Sequence, residues 1–500
     1  MIFAQTAPAA GITAEAQISW AAISPELILA LGAALVLLVE VQFRPARRVL
    51  GWLASFGLTA ATVMSIALWF RAGSALEAGD PAVLTPFNQM IILDRFGIFI
   101  RVVLYVIALL GITLGWDMFR KLQARAAETL ALVLLSTAGF SLMVGSGHLI
   151  MIFLGLETGS IALYVLAGMA GAKARSDEAA VKYFLLGSFA SAIFVYGVAL
   201  LFASTGTFRI LEMASYLSEN VIVRPLSLLI AVGLVIVGLA FKVTAAPFHA
   251  WAPDVYQGAP AGITGFLVAV AKIAGFTTLL RILITAFPGL ADRWVPIIAF
   301  LSVTSMLVGV VMALLQDDVR RILAYSGVAN AGFILTGVLA GAVSTEIVLF
   351  YLGIYGLQLV GAFGIVSMVS GGMSTGSPLS DFKGLSTRAP VLAASFSVLL
   401  LAMAGLPLTS GFIAKFGVFT EAWRTGYEWL VIVGVIASAA AFAFYLGIIV
   451  SMYMQESETA AVPTSTTLSR VVLVGVVLVT IVLGILPNLL LDVTALAVPL

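Results

Sequence analysis

From Leu226 to Ala240 the chain is an almost unbroken apolar run, and many stretches like it follow one another along the sequence. A helix needs about 18 to 20 apolar residues to cross the hydrocarbon core of a bilayer, and many of these runs meet that length. Water is absent there, so each run has to satisfy its backbone groups internally. The chain is 62% hydrophobic and only 10% charged over 500 residues, whereas soluble domains carry about 25% charged side chains. Too few charges remain to cover a soluble surface of this size. The expected fold is an all-α polytopic membrane protein.

Composition closes off several chemistries. There are no cysteines, so disulfides, thiolate metal sites and cysteine nucleophiles are excluded. The two histidines, His148 and His249, lie far apart in sequence, which argues against a haem or zinc site. A net charge of +1 gives no reason to expect a nucleic-acid partner. The N-terminal stretch lacks a basic residue before its first apolar segment, unlike a secretory signal. It reads as a short tail leading into the first span.

Fourteen helices are predicted, near 24–42, 49–70, 96–117, 127–146, 148–171, 182–206, 226–247, 261–286, 294–316, 321–341, 346–371, 390–425, 429–453 and 469–491. The twelfth is too long for one straight span and contains Gly405, Pro407 and Gly411, so it is expected to be broken. Loops after odd-numbered helices hold Arg44, Arg47, Arg48, Arg120, Lys121, Arg125, Lys173, Arg175, Arg320, Arg321, Lys383 and Arg388, with Arg470 on the same side. The opposite loops hold fewer cations. The bias puts the first set in the cytoplasm and both termini on the periplasmic side.

Helices 4 to 8 and 9 to 13 form two blocks of five. In each block the fourth helix carries a proline interruption and a lysine, Lys242 with Pro247 and Lys415 with Pro407. Five is odd, so two equivalent blocks are inserted upside down relative to each other, the arrangement of transporters built from inverted repeats. The implied division is 1–126 for the tail and first three helices, 127–286 and 287–453 for the two repeats, and 454–500 for the last loop and helix.

Four charges stand out inside the runs: Glu157, Lys242, Lys272 and Lys415. An ionisable group at the bilayer centre costs at least about 2.5 to 3.5 kcal/mol on insertion scales, and such groups mark ion and proton paths. A lysine near a helix end can instead snorkel, and Lys242 is the one best placed to do so. Lys272 has about eleven apolar or small residues on either side, and the short stem of Glu157 cannot reach the interface. Arg101, Arg281 and Glu40 lie nearer span ends and read as interface anchors. Lys182, at the start of the sixth helix, and His249, just past the break, are candidate further relay groups.

Proline removes a backbone donor and clashes one turn back, and the freed groups have to line a cavity or be buried in protein. A lysine beside such a break can exchange protons with water that enters there. Burial disfavours its charged form and a nearby carboxylate restores it. Glu157 and Lys242 are the expected pair, with Lys272 as the group they tune.

The stretches FKVTAAPFHAWAPDVYQGAP, VAVAKIAGF, DDVRRILAYSGVANAGF and GLPLTSGFIAKF resemble the antiporter-like membrane subunits of respiratory complex I. The likeness runs from about Pro25 to the last span. Within that family the chain looks most like subunit N, because it ends after fourteen spans and carries a lysine at Lys415, where the M-type pattern has glutamate. The resemblance implies a proton-translocating, non-redox subunit of NADH-quinone oxidoreductase in a bacterial inner membrane. Flavin, iron–sulfur clusters and quinone then belong to partner subunits, and the neighbours are other membrane-arm subunits and lipids. It implies that Glu157 and Lys242 interact, that Lys272 is the central relay and Lys415 lies toward the periplasmic exit, and that His249 sits near the path.

The alternative is a subunit of a multisubunit sodium/proton antiporter, which shares the fold and the Glu–Lys pair. Co-purification with flavin and iron–sulfur proteins separates the two. A solute transporter would need more convergent polar groups at the midplane than one glutamate and three lysines.

Overall fold

The computed structural model describes residues 18–122, 125–169, 174–220, 225–373, 375–456, 463 and 465–499, without the side chains of 81 and 82. The tail expectation falls largely on residues outside this set, as do Lys173 and Arg224. Every predicted span is a helix. Numbered in chain order, they are Ser24–Phe43, Arg47–Ala78, Arg95–Leu114, Arg125–Val144, Leu149–Ala167, Ala174–Thr205, Pro225–Lys242, Ala261–Arg281, Ala291–Leu314, Val319–Leu339, Thr345–Ser370, the broken pair Pro390–Ala404 and Ser410–Arg424, Glu428–Met454 and Thr467–Ile485. Among the described residues, thirteen continuous helices are long and apolar enough to cross a membrane, and the broken twelfth joins them.

Two spans are longer than predicted. Span 2 continues to Ala78 and span 6 begins at Ala174. Apolar length locates the hydrocarbon layer, while a helix continues past it for as long as its backbone bonds are made. Lys182 therefore lies two turns inside span 6 rather than at its start. Span 7 ends sooner than expected, at Lys242, and a short helix, Ala252–Gly258, follows the break.

Spans 4 and 5 meet backbone to backbone. A Cβ on Gly139 would lie 2.4 Å from the Gly159 nitrogen, and one on Gly155 would lie 2.6 Å from the Met143 nitrogen. Spans 9 and 10 meet in the same way, with 2.4 Å from Gly309 to the Ala329 nitrogen and 2.6 Å from Gly332 to the Ser302 oxygen. Small residues allow this approach where lipid offers no hydrophobic drive between helices. Span 10 ends up enclosed along its whole length. Spans 1, 2 and 6 keep large apolar side chains outward, among them Leu38, Phe56 and Phe189.

The near-end arginines are not interface anchors. Arg101 and Arg281 are each 1% exposed. Arg281 forms a two-pronged pair with Asp94 at 2.7 and 2.8 Å and also donates to the Val144 carbonyl at 3.3 Å. Arg101 lies 3.3 Å from Glu26 and donates to the Ala22 carbonyl at 3.1 Å. Position along a span gives depth, while the neighbouring helices decide whether that depth faces lipid. These two pairs tie span 3 to spans 1 and 8. Glu40 is half-exposed and lines a surface cavity with Arg44, as expected of an anchor.

Removing one partner of a buried pair strands the other charge, at about 3–5 kcal/mol. Asp94→Ala is therefore expected to lower the thermal unfolding midpoint of the purified protein strongly. The double change Asp94→Ala with Arg281→Met should recover most of that loss. Tryptophan-fluorescence melting in detergent measures both.

Candidate functional site

The break after span 7 is built as a helix C-cap. The Thr244 amide donates to the Phe241 carbonyl at 3.1 Å and the Ala245 amide to Ala240 at 2.9 Å, which satisfies the last carbonyls of the helix. Thr244 takes the left-handed conformation, with φ 59°. Span 9 satisfies the next peptide, since the Ala246 amide donates to Ser305 Oγ at 2.8 Å and Thr304 Oγ1 donates to the Ala246 carbonyl at 2.9 Å.

Lys272, 1% exposed, reaches into this break from span 8. Its Nζ donates to Thr244 Oγ1 at 2.5 Å, to the Gly327 carbonyl at 2.6 Å and to the Val243 carbonyl at 3.5 Å. A helix C-terminus carries partial negative charge on its unsatisfied carbonyls. The interruption in span 7 thus supplies acceptors for a cation on another helix.

Span 12 repeats the device. It stops at Gly405, whose φ of 93° suits glycine, and restarts at Ser410. Lys415, 4% exposed, folds back to donate to the Ala404 carbonyl at 2.9 Å and to Ser438 Oγ at 3.2 Å. Its Nζ also lies 4.4 Å from the centre of the Phe333 ring. Spans 7 and 12 are five crossings apart and run in opposite directions, yet each offers the carbonyl end of a half-helix to a lysine.

Lys242 is 3% exposed and does not snorkel. Its Nζ donates to Ser160 Oγ at 2.6 Å and sits 5.6 to 5.7 Å from the ring centres of Phe140, Tyr164 and Tyr183. Glu157 is half-buried and accepts a hydrogen bond from Ser191. Among the described residues no ion pair joins the expected partners Glu157 and Lys242, and each bonds to a serine instead. Ser160 follows Glu157 by one helical turn, a spacing that places the two side chains about 5–6 Å apart. Span 8 packs on the same lysine, because a Cβ on Gly275 would lie 3.3 Å from Lys242 Cγ.

His249 lies in the break, half-buried, with its ring edge toward Tyr325 at 6.1 Å. Lys182 is elsewhere. Its side chain is 40% exposed at the arginine-rich end of the bundle, paired with Asp254 at 2.7 Å and Glu178 at 2.6 Å. Arg321 holds the same Asp254 at 2.8 Å.

Several polar residues between Lys272 and Lys415 escaped the sequence reading. Ser326 Oγ and the Tyr445 hydroxyl lie 2.5 Å apart. Asn330 Nδ2 donates to the Ser326 carbonyl at 2.9 Å, and the Tyr351 hydroxyl donates to Asn330 Oδ1 at 2.8 Å. Tyr355, one turn from Tyr351, points its hydroxyl toward Gly327 and Lys272. Residues 326, 327, 330 and 333 form one stripe of span 10, with the Lys272 acceptor at one end and the Phe333 ring under Lys415 at the other. The signal was an asparagine and a serine four apart in the middle of a span whose charges sit only in its first turn.

Known proteins carry this architecture. Residues 146–441 match the family described as NADH:quinone oxidoreductase/Mrp antiporter, TM. The chain is 38% identical over 439 residues to the NADH-quinone oxidoreductase subunit N of Trichlorobacter lovleyi, covering 87% of this chain and 88% of that protein. It is 45% identical over 377 residues to subunit N of Mycobacterium tuberculosis, covering 74% and 71%. A chain of respiratory complex I from Thermus thermophilus with bound Aureothin superimposes with TM-score 0.80 at 30% identity, over 95% of this chain and 100% of that one. A chain of the Mrp complex from Dietzia sp. gives TM-score 0.81 over 95% and 97% of the two chains, at 21% identity, a likeness of fold alone.

Two broken helices facing buried lysines thus define an antiporter-like subunit of a proton-translocating membrane complex. The chain belongs to the NADH-quinone oxidoreductase subunit N family, the part of complex I's membrane arm concerned with proton translocation.

A methyl group on Gly327 would lie 3.0 Å from Lys272 Nζ and 3.5 Å from the Tyr355 hydroxyl. Displacing a functional side chain by a fraction of an ångström is costly. Gly327→Ala is expected to assemble and to slow quinone-coupled proton pumping by about tenfold, read by dye quenching in membrane vesicles.

Proposed function

We propose that Glu157, Lys242, Lys272 and Lys415 form the proton relay of this subunit, with His249 and Lys182 as flanking relay groups. The observation that carries the reading is Lys272, whose Nζ is held only by a hydroxyl and carbonyls. Among the described residues no carboxylate pairs with it, so its charge is free to change. Lys182, in its water-exposed cluster, serves the uptake side. His249 stands where water reaches the break.

In one state Glu157 draws on Lys242 and Lys272 keeps its proton. A charge change passed from a neighbouring subunit weakens that attraction. The positive charge of Lys242 then acts on Lys272 across the packing of span 7 on span 8 at Gly275. Two unit charges 4 Å apart at an effective dielectric near 20 interact by about 4 kcal/mol, roughly a thousandfold in a proton-binding equilibrium. The proton leaves along the span 10 stripe toward Lys415 and out.

The reading extends to organisation. The working halves are 127–286 and 287–453, with 1–126 and 454–500 flanking them. The subunit lies in a bacterial inner membrane with both termini periplasmic, beside other membrane-arm subunits and lipid. It binds no nucleic acid and is not a stand-alone enzyme. Redox cofactors belong to partner subunits. Subunit N relatives at 36–45% identity over most of the chain favour this reading over a sodium/proton antiporter subunit.

Lys272→Ala is expected to assemble and to lose most proton transport and coupled quinone reduction. Normal pumping by that assembled variant would end the relay reading. Lys415→Glu is expected to keep partial activity, because a protonatable group remains. Glu157→Ala separates a relay from a passive scaffold, since a scaffold keeps full pumping without the carboxylate. Each is measured as NADH-driven proton uptake per assembled complex.

A further inference from the structure

Three segments far apart in sequence meet at the arginine-rich end of the bundle, away from the relay. They are residues 44–48 leading into span 2, the short helix Trp116–Lys121 after span 3, and Pro463 with residues 465–470 before and into span 14. They enclose two adjoining cavities. One, of about 850 Å³, is lined by Arg44, Arg47, Arg48, Arg120 and Trp116, with Glu40 at its edge. The other, of about 390 Å³, is lined by Arg120, Lys121, Arg470 and Ser465, with Asp117. Arg120 borders both.

Among the lining side chains, six cations face two carboxylates. Asp117 lies 3.5 Å from Arg120, and Arg47 donates to the Arg120 carbonyl at 3.1 Å, a bond that draws two cationic loops together. Arg47 and Arg48 occupy the first turn of span 2, which has no acidic residue and no capping side chain. A helix start already carries positive potential, so these guanidiniums raise it further. The concentration of like charge in a concave site calls for an anion.

The surface below the cations is apolar. Arg48, Trp52 and Phe56 follow at four-residue spacing on the exposed face of span 2, and Val63 and Phe70 continue that face. Tryptophan favours the level where headgroups meet hydrocarbon. Cations above a continuous apolar stripe complement a molecule with a negative head and hydrocarbon chains. Basic pockets between membrane helices take anionic lipid headgroups on these grounds.

We propose that this end of the bundle binds one anionic phospholipid. Its phosphodiester sits among Arg44, Arg47, Arg48 and Arg120, and its acyl chains run along Trp52 and Phe56. The assembled complex is placed in nanodiscs of phosphatidylcholine with and without phosphatidylglycerol, and its structure is determined in each. The expected result is a two-chained lipid with its phosphate among the arginines when phosphatidylglycerol is present, and none in phosphatidylcholine alone. The triple variant Arg44→Gln, Arg47→Gln, Arg48→Gln should lose that lipid and retain less phosphatidylglycerol per complex by mass spectrometry. Several outcomes overturn the proposal: an empty site in phosphatidylglycerol discs, a segment of a neighbouring subunit seated among the arginines, or added inorganic phosphate filling the site with no chains below it. Where the triple variant fails to assemble, the comparison of disc compositions on the natural complex decides alone.

Discussion

A backbone carbonyl with no partner inside a membrane costs several kcal/mol, and among the described residues there are two places where a helix stops at membrane depth. Other helices complete both. At the first, span 9 supplies Thr304 and Ser305 to the peptide at Ala246, and span 8 supplies Lys272 to the carbonyl of Val243. At the second, Lys415 and Ser438 both bond to Ala404. The break and the buried cation solve each other's problem, since broken backbone needs donors and a desolvated ammonium needs acceptors. Neither is stable in lipid alone, which is why each proline interruption has a lysine within reach.

The buried cations divide into two kinds by their partners. Arg101 and Arg281 face carboxylates, and Arg320 caps the helix Ala252–Gly258 through the carbonyls of Tyr256 and Ala259. Guanidiniums keep their charge at any physiological pH, so these contacts act as fixed ties between helices. The three lysines meet hydroxyls, carbonyls and ring faces instead. Neutral dipoles and π faces stabilise a cation without cancelling it, and a lysine held this way can lose a proton without stranding an opposite charge. Arginine where the frame is fixed, and lysine where charge is proposed to move, is a division that follows from the chemistry of the two side chains.

Most of the fold was legible in the sequence because lipid leaves the backbone so few options. Apolar length located all fourteen spans, and Gly405 with Pro407 marked the break in the twelfth. The charges in the runs pointed to Glu157, Lys242, Lys272 and Lys415, and all three lysines are buried as expected. The misses share a cause. Arg101 and Arg281 were read as interface anchors because sequence reports how deep a residue sits and not what its face of the helix meets. Asn330, Tyr351, Tyr355 and Tyr445 went unnoticed because a lone amide or phenol costs far less to insert than a charge and carries no strong pattern.

Sequence by itself determined the helical, membrane-spanning class, the number of crossings, the two interruptions and the burial of Lys242, Lys272 and Lys415. All of these follow from the cost of exposing polar groups to hydrocarbon, which acts residue by residue along the chain. Tertiary structure alone decided the partners. It gave Lys242 the Ser160 hydroxyl, gave Lys272 the Val243 carbonyl and Thr244 hydroxyl of the span 7 break, and aligned one stripe of span 10 with Lys415. The bonds of Lys242 and Lys272 join residues from 28 to 82 positions apart, and only the packing of one helix on another brings such distant side chains within bonding distance.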